Sequence, residues 1–352
     1  MIATNQIETP VADGASLLEA ILNASRESVL LIDRGTRIVA ANTAAHEIFG
    51  RGIGGIEGRR LTEVIRDVEL HAAVVNALDK NETTEFHLEL VGSDTRNYDV
   101  HISPITLAGE PQAIAVFYDI TRVERLERVR QEFLSNISHE LRTPLTSILA
   151  FVETLEDGAI DDRDNNRRFL NVIRRNAERM HMLIADILEL SMIESGNVSI
   201  DKRNIRIANI VDEIFASLGS KAAERCVKLE HRIPANATIF ADAARVEQML
   251  TNLIDNAIKF NRPDGLVTIE LHPESDSDVL TVSDTGEGIL PEHQHRVFER
   301  FYRADRSRAR EVGGTGLGLA IVKHLARLHG GDVSVRSRLT EGSVFSIEFP
   351  AE

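Results

Sequence analysis

The sequence predicts a multidomain chain in three parts: an α+β domain, a helical hairpin that pairs with a second copy into a four-helix bundle, and an α/β sandwich domain. Three observations lead to this prediction. Short strand-like runs dominate the first third, a heptad pattern of apolar residues follows, and strand-like and helical runs alternate in the remainder. Strands repeat every two residues and helices every 3.6, so a change of apolar period separates different architectures.

The composition of the 352 residues is that of a globular protein, with 43% apolar and 27% charged residues. A formal net charge of −15 argues against direct nucleic-acid binding, which depends on Lys and Arg. Cys226 is the one cysteine, which excludes an intramolecular disulfide. We find no signal-peptide pattern and no apolar run near the roughly 18 residues that span a bilayer. We therefore expect no transmembrane segment and a cytoplasmic location.

Residues 15–120 form the predicted α+β domain. Its strand-like runs are SVLLID, RIVAAN, TEFHLELV, NYDVHISPI and AIAVFYDI. The helical runs AAHEIF and HAAVVNAL lie between them. Strands that return after short turns around a helical insert are typical of a small α+β domain.

Residues 121–197 form the predicted hairpin. The first helix carries apolar residues at seven-, three- and four-residue spacings, and the turn-like segment EDGAIDDRDN follows it. In the second helix the seam steps strictly by four and three: Phe169, Ile173, Asn176, Met180, Leu183, Ile187 and Leu190. Such a narrow seam favours a homodimeric four-helix bundle. The alternative is a hairpin packed on its own chain's domains.

His139 lies off this seam on the first helix. Two residues from Ile137, at about 100° per residue, it turns roughly 200° away and projects outward. Glu140 flanks it, Thr143 lies one turn further on the same face, and Pro144 should bend the helix there. A lone exposed histidine is usually an ordinary surface residue. Here a neutral imidazole beside an acid indicates a nucleophile instead.

Residues 198–352 form the predicted α/β domain, and one of its helices has two distinct faces. In RVEQMLTNLIDNAIKFN an apolar stripe leaves Asn252, Asn256 and Lys259 together on another face. Amide oxygens can ligate Mg²⁺, and a lysine can contact phosphate. A solvated helix face is the alternative.

Two glycine-rich stretches follow. In LTVSDTGEGI, Asp284 ends a strand just before Gly286 and Gly288, where a carboxylate can accept a hydrogen bond from an exocyclic amine. The stretch GGTGLGLAI runs into a helix, whose N-terminus can hold phosphate. Its spacing excludes both the dinucleotide fingerprint and the Walker A loop. Between them, FERFYRADRSRAREV carries five arginines, which fit either a mobile basic lid or a solvated loop.

Taken in order, these motifs resemble the sensor histidine kinases of bacterial two-component systems, including the phosphate-regulon sensor kinases. SHELRTPLTSI matches the phospho-acceptor box, and NLIDNAIKF, DTGEGI, FERFYR and GTGLGLAI match the N, G1, F and G2 boxes of the GHKL-type (Bergerat) ATP-binding domain. The resemblance covers about residues 120–352. It implies ATP-dependent autophosphorylation, then transfer to an aspartate of a response regulator receiver domain, with dephosphorylation of that partner as a further activity.

The resemblance also implies residue roles. His139 accepts the γ-phosphoryl group, Glu140 activates it, and Thr143 positions water for dephosphorylation of the partner. Asn256 ligates Mg²⁺, and Asp284 binds the adenine amine of ATP. The other implied nucleotide-binding residues are Asn252, Lys259, Gly286, Gly288, Ile289, Phe298, Arg300, Phe301, Arg303, Gly314, Thr315, Gly316, Leu317 and Gly318. Hinge motion around residues 195–205 would bring the ATP to the histidine.

The first domain is similar to a PAS domain through SVLLIDRGTRIVAAN, AAHEIFG and YDIT. Without a cysteine it cannot form a cysteinyl-flavin adduct. Its histidines leave haem formally open, and a domain without a ligand, used for dimerisation, is equally compatible. Two further functions compete with the kinase: a dimeric scaffold that binds ATP without turnover, and a serine kinase or other ATPase with the same pocket.

Overall fold

The computed structural model describes residues 20–50, 55–92, 95–107, 109–162, 165–304 and 314–351. The chain divides into two compact units, Met1–Gln131 and Glu132–Glu352. The last three arginines of the predicted lid lie between residues 305 and 313, outside the described residues. Among the described residues, no helix combines the length and apolarity needed to cross a membrane.

The first unit contains the predicted α+β domain. Five strands form an antiparallel sheet in the order β2-β1-β5-β4-β3. The strands are β1 Ser28–Ile32, β2 Ile38–Ala41, β3 Thr84–Leu90, β4 Arg96–Leu107 and β5 Glu110–Asp119. The helices are α1 Thr43–Phe49, α2 Leu61–Val64 and α3 Val68–Lys80. The α+β prediction is confirmed, although the sequence pattern did not indicate the short helix α2.

Aromatic side chains fill the core of this unit. Phe117 lies between Phe49 and Tyr98, with ring centroids 5.0 and 6.1 Å away. The buried Asn42 caps α1, because its side chain accepts from the Ala45 amide at 3.0 Å. Three of the domain's histidines pair with exposed or half-exposed carboxylates, which favours ordinary surface roles over haem binding: His46, His87 and His101.

Two long helices form the hairpin. Helix α4, Thr121–Glu156, continues through Pro144, and α5 is Asn166–Glu194. The helices are antiparallel neighbours, since the rings of Phe151 and Phe169 lie 5.5 Å apart. Ser147 also accepts a hydrogen bond from Asn176 at 3.3 Å. The predicted hairpin is therefore present, while a bend at Pro144 stays a prediction.

The last part of the chain is a two-layer α/β sandwich, as predicted. A mixed sheet runs β11-β12-β10-β9-β7, in which only the β7–β9 pair is parallel, and β6 pairs with β8. The strands are β6 Arg203–Arg206, β7 Lys228–His231, β8 Thr238–Ala241, β9 Leu266–Pro273, β10 Ser277–Asp284, β11 Val333–Arg338 and β12 Gly342–Pro350. The helices are α6 Ile207–Glu224, α7 Ala243–Lys259, α8 Pro291–Gln294 and α9 Gly318–Leu328.

Helix α7 shows how the sequence orients the site. Asp242 caps it, accepting from the amides of Ala244 and Arg245 at 3.0 and 3.2 Å. Its predicted apolar stripe is buried: Val246, Leu250, Leu253 and Ala257. Burial of the stripe leaves the polar face of the same helix available to a ligand.

The buried His329 follows the C-terminal end of α9 and contacts Asp242, the residue that caps the N-terminus of α7. The His329 Nδ1 lies 2.8 Å from the Leu325 carbonyl, which can only accept, so Nδ1 carries the proton. Its Nε2 accepts from the Asp242 amide at 3.2 Å. Burial lowers the pKa of His329, and the charge of Lys202 acts in the same direction, against the hydrogen bond to Leu325. The neutral imidazole therefore holds the cap of α7.

The C-terminal half of α5 belongs to the same core as the sandwich. Leu183, Leu190 and Ile193 are buried with the apolar residues of α7 and α9. The heptad pattern assigned Leu183 and Leu190 to the bundle seam. Within one chain, this end of the seam packs against the sandwich core, while the pairing of two hairpins stays a prediction.

Candidate active site

His139 is exposed on α4, as its position on the helix predicted. Thr143, one turn on, is exposed as well, and its hydroxyl donates to the His139 carbonyl at 3.2 Å. Pro144 is buried beneath them. An exposed imidazole on a rigid helix is accessible to a second reactant.

The carboxylate of Glu140 is bonded to two arginines. Its Oε2 accepts from Arg179 of α5 at 3.0 Å and from Arg303 of the sandwich at 3.3 Å. The predicted neighbour of the histidine is thus engaged by two arginines in this arrangement. Sequence reasoning missed Arg179, because 39 residues separate it from Glu140 and no motif marks it.

The polar face of α7 is tied to its surroundings. The Asn252 amide donates to the Gly318 carbonyl at 3.4 Å, so this face meets the start of α9. Lys259 pairs with Asp255 at 2.6 Å, and Lys221 pairs with the same carboxylate. Burial acts to raise the pKa of Asp255, but the two lysines outweigh it and the pKa is lowered. The ionised Asp255 therefore holds Lys259 in place.

Asp284 ends β10 in a largely enclosed position. Its Oδ1 accepts from the Gly286 amide at 2.8 Å. Burial raises the pKa of Asp284, against the hydrogen bonds from Gly286 and from Ser343. Ser343 lies opposite Asp284 in the β10–β12 register. Sequence reasoning missed Ser343, since it requires knowing which strands pair.

The glycines after Asp284 permit close approach of backbone to backbone. Gly288 has φ +73°, and a Cβ there would lie 2.0 Å from the Arg338 carbonyl oxygen. A Cβ on Gly286 would lie 2.3 Å from the Phe260 carbonyl oxygen. The contacts show that these glycines seat the loop against its neighbours. The Ile289 amide then donates to Ser337 Oγ at 2.8 Å.

The FERFYR segment is anchored by its aromatic residues. Phe298 packs edge-on against Phe345 with centroids 6.1 Å apart, and the Phe301 ring lies 5.7 Å from Phe133 of α4. Phe301 has φ +59°, and its amide donates to the Gly316 carbonyl at 2.9 Å. These contacts therefore fix the backbone that carries Arg300 and Arg303.

The GTGLGL turn closes this side of the site. Arg303 donates to the Gly314 carbonyl, and Thr315 Oγ1 donates to Asp186 of α5 at 2.6 Å. Leu317 is fully buried, which fixes the turn, and Gly318 begins α9. The structure thus gathers the α7 face, the glycine-rich turn and the arginines predicted from separate motifs.

Together these groups fit a nucleotide with a divalent cation. The side-chain amides on α7 are hard oxygen donors, the N-terminus of the 11-residue helix α9 lies beside them, and Arg300, Arg303 and Lys259 supply positive charge. The Asp284 carboxylate, at the end of β10, can accept a hydrogen bond from an amine. Among the described residues, no cluster of His, Cys, Asp or Glu side chains could hold a metal ion by itself.

Three family models match the chain. Residues 22–125 match the PAS fold, residues 129–196 the His Kinase A (phospho-acceptor) domain, and residues 241–352 the histidine kinase-, DNA gyrase B- and HSP90-like ATPase. The three matches follow the order of the motifs along the chain.

Similar proteins agree with these matches. The sensor protein SrrB of Staphylococcus aureus strain MRSA252 is 28% identical over an alignment that covers 99% of this chain. The chain spans only 59% of the length of that relative. Two solved structures share the fold with a TM-score of 0.52. Histidine kinase ThkA in complex with response regulator TrrA is 21% identical and covers 92% of this chain and 96% of its own. Histidine kinase AdeS of Acinetobacter baumannii is 23% identical and covers 61% and 98%.

Proposed function

We propose that the chain is a sensor histidine kinase and that it acts as an ATP-dependent protein-histidine kinase. It transfers the γ-phosphoryl group of ATP to His139 and then to an aspartate of a response regulator. One observation carries this proposal: an exposed histidine on the hairpin shares a compact unit with a nucleotide site built from four motifs.

In the first step, a ring nitrogen of neutral His139 attacks the γ-phosphorus with its lone pair. A phosphorus–nitrogen bond forms, the bond from the γ-phosphorus to the β–γ bridging oxygen breaks, and ADP leaves with that electron pair. Glu140 takes up or orients the proton on the other ring nitrogen, for which it must turn from its arginines to the imidazole. Such a reaction depends mainly on positioning and on charge neutralisation.

The nucleotide is held at both ends. Asp284 accepts from the adenine amine, while Lys259, Arg300 and Arg303 contact the phosphates. Asn256, with Asn252 beside it, would ligate Mg²⁺, whose charge neutralises the phosphate oxygens when it is bound. The remaining predicted residues shape the pocket: Gly286, Gly288, Ile289, Phe298, Phe301, Gly314, Thr315, Gly316, Leu317 and Gly318.

We assign residues 15–120 to the PAS-like sensor domain, 121–197 to dimerisation and phosphotransfer, and 198–352 to ATP binding. Dimerisation is supported by seam residues that remain exposed in one chain, such as Val123 at 65% and Leu126 at 62%. A second hairpin would cover them.

The second reactant is the receiver domain of a response regulator, to which the phosphoryl group passes and from which Thr143 helps to remove it. The solved complex of ThkA with TrrA supports a partner of this kind. Because ATP and such receiver domains are cytoplasmic, we place the reaction in the cytoplasm.

The direct test incubates the full chain with Mg²⁺ and γ-labelled ATP. We expect acid-labile, base-stable label on the wild type and none on His139→Gln or Asn256→Ala. The matched control is His181→Gln, which removes another exposed histidine from the same hairpin and should leave labelling unchanged.

Each alternative predicts a different result. Label that persists in His139→Gln would show that another residue is the acceptor. ATP binding without any label would favour the scaffold. Acid-stable label would favour transfer to serine.

A further inference from the structure

The carboxylate of Asp186, on α5 of the hairpin, lies among groups proposed to bind phosphate. Its Oδ2 accepts from Thr315 Oγ1 at 2.6 Å. Burial raises the pKa of Asp186, while the hydrogen bond from Thr315 and the nearby charge of Lys259 act in the opposite direction. A carboxyl oxygen of the hairpin thus accepts a hydrogen bond from the glycine-rich turn.

Two more hairpin carboxylates pair with the arginines of the FERFYR segment. Glu140 on α4 accepts from Arg303 at 3.3 Å, and Glu194 near the end of α5 pairs with Arg300. Both arginine side chains are partly buried, at 13% and 28% exposure. These ion pairs are therefore shielded from solvent screening better than pairs on an open surface.

Carboxylates and phosphates accept hydrogen bonds from arginine and hydroxyl groups in the same way. An arginine presents a planar set of donors that matches either anion, and a charge-assisted bond to one uses donors that the other needs. The Thr315 hydroxyl has a single proton, so it can donate to Asp186 or to a phosphate oxygen, but not to both. Part of the Arg303 guanidinium is already occupied by the Gly314 carbonyl.

We infer that Glu140, Asp186 and Glu194 compete with the phosphates of ATP for Arg303, Thr315 and Arg300, so that docking of residues 198–352 on the hairpin and ATP binding oppose each other. The inference rests on the proposed function, which places Arg300 and Arg303 at the phosphates and Thr315 in the wall of the same pocket. Binding linkage is reciprocal, so docking weakens ATP binding by the factor by which ATP weakens docking. Release by ATP would also free Glu140 from Arg303.

The first test measures the dissociation constant of ATP with MgCl₂ by titration calorimetry on the full chain. We expect the double variant Asp186→Ala/Glu194→Gln to bind ATP at least fivefold more tightly than the wild type. The control Glu178→Gln removes an exposed carboxylate of the same helix, whose partner is Arg174, and should bind as the wild type does. Circular dichroism verifies that each variant is folded.

The outcomes distinguish a failure of the competition from a failure of the proposed nucleotide site. If wild type and double variant bind ATP equally, the competition is wrong while the nucleotide site stands. If none of the proteins binds ATP, the proposed function itself is wrong.

A second measurement needs no variant. ATP added to the wild type should accelerate amide hydrogen exchange in residues 183–193, where Leu183, Leu190 and Ile193 are buried in the sandwich core. Exchange that stays the same or slows on addition of saturating ATP would overturn the inference.

Discussion

Replacing Gly288 with alanine tests whether the loop after Asp284 is as tightly seated as the structure indicates. At φ +73° a residue with a side chain is strained by about 1–2 kcal/mol. The new Cβ would also lie 2.0 Å from the Arg338 carbonyl oxygen, whereas ordinary contact begins at 3.4 Å. The loop and the β11–β12 turn must therefore separate.

The separation breaks bonds that join the two segments. The Thr340 amide donates to the Glu287 carbonyl at 2.6 Å, and the Ile289 amide to Ser337 Oγ at 2.8 Å. Each such bond contributes about 0.5–1.5 kcal/mol. Strain and lost bonds together reach about 2–5 kcal/mol. If the loop must be seated to hold adenine, ATP affinity falls by roughly 30-fold to several thousand-fold.

Titration calorimetry with ATP and MgCl₂ measures the effect. The matched control is Gly109→Ala, which has φ +84° and no atom within 4 Å of the new Cβ, and which lies in the other unit. It should cost stability through strain alone and leave ATP affinity unchanged. A Gly288→Ala protein that binds ATP as tightly as the wild type would refute the reasoning.

Two further predictions concern stability. Leu190 is fully buried where α5 meets the sandwich core, so Leu190→Ala should lower the free energy of unfolding by about 2–5 kcal/mol. The control Leu188→Ala, at a residue that is 59% exposed, should change it little. Urea unfolding compares the two variants, and equal effects would contradict the packing. Burial lowers the pKa of His329 below its ordinary 6.5, so the stability it provides is present above pH 6.5 and is lost as pH falls below that value. His329→Gln should therefore flatten the dependence of the melting temperature on pH between 7 and 5, and parallel curves would contradict this.

The sequence predicted elements whose apolar pattern is local. The apolar stripe on α7 fixes the orientation of that helix and, with it, the direction of Asn252 and Asn256. The glycines likewise indicate loops without any knowledge of the residues that those loops contact. These features depend on neighbours within one or two turns, so a single sequence contains them.

Contacts between distant elements could not be predicted in this way. The bond from Thr315 to Asp186 joins residues 129 positions apart, and Ser343 meets Asp284 only through strand pairing. The seam residue Leu190 has the same spacing whether it packs on a second hairpin or on its own sandwich. Periodicity shows that a side chain is buried, but it does not identify the surface that covers it.

Phe301 carries a further consequence of the docked arrangement. A bulky residue at φ +59° is uncommon, and the conformation costs about 1–2 kcal/mol, which the Gly316 carbonyl and the Phe133 ring must offset. The backbone between Arg300 and Arg303 is thus held in a strained conformation by contacts with α4 and the glycine-rich turn. Because Phe301 lies between Arg300 and Arg303, a change in its backbone conformation would redirect both guanidinium groups together rather than one at a time.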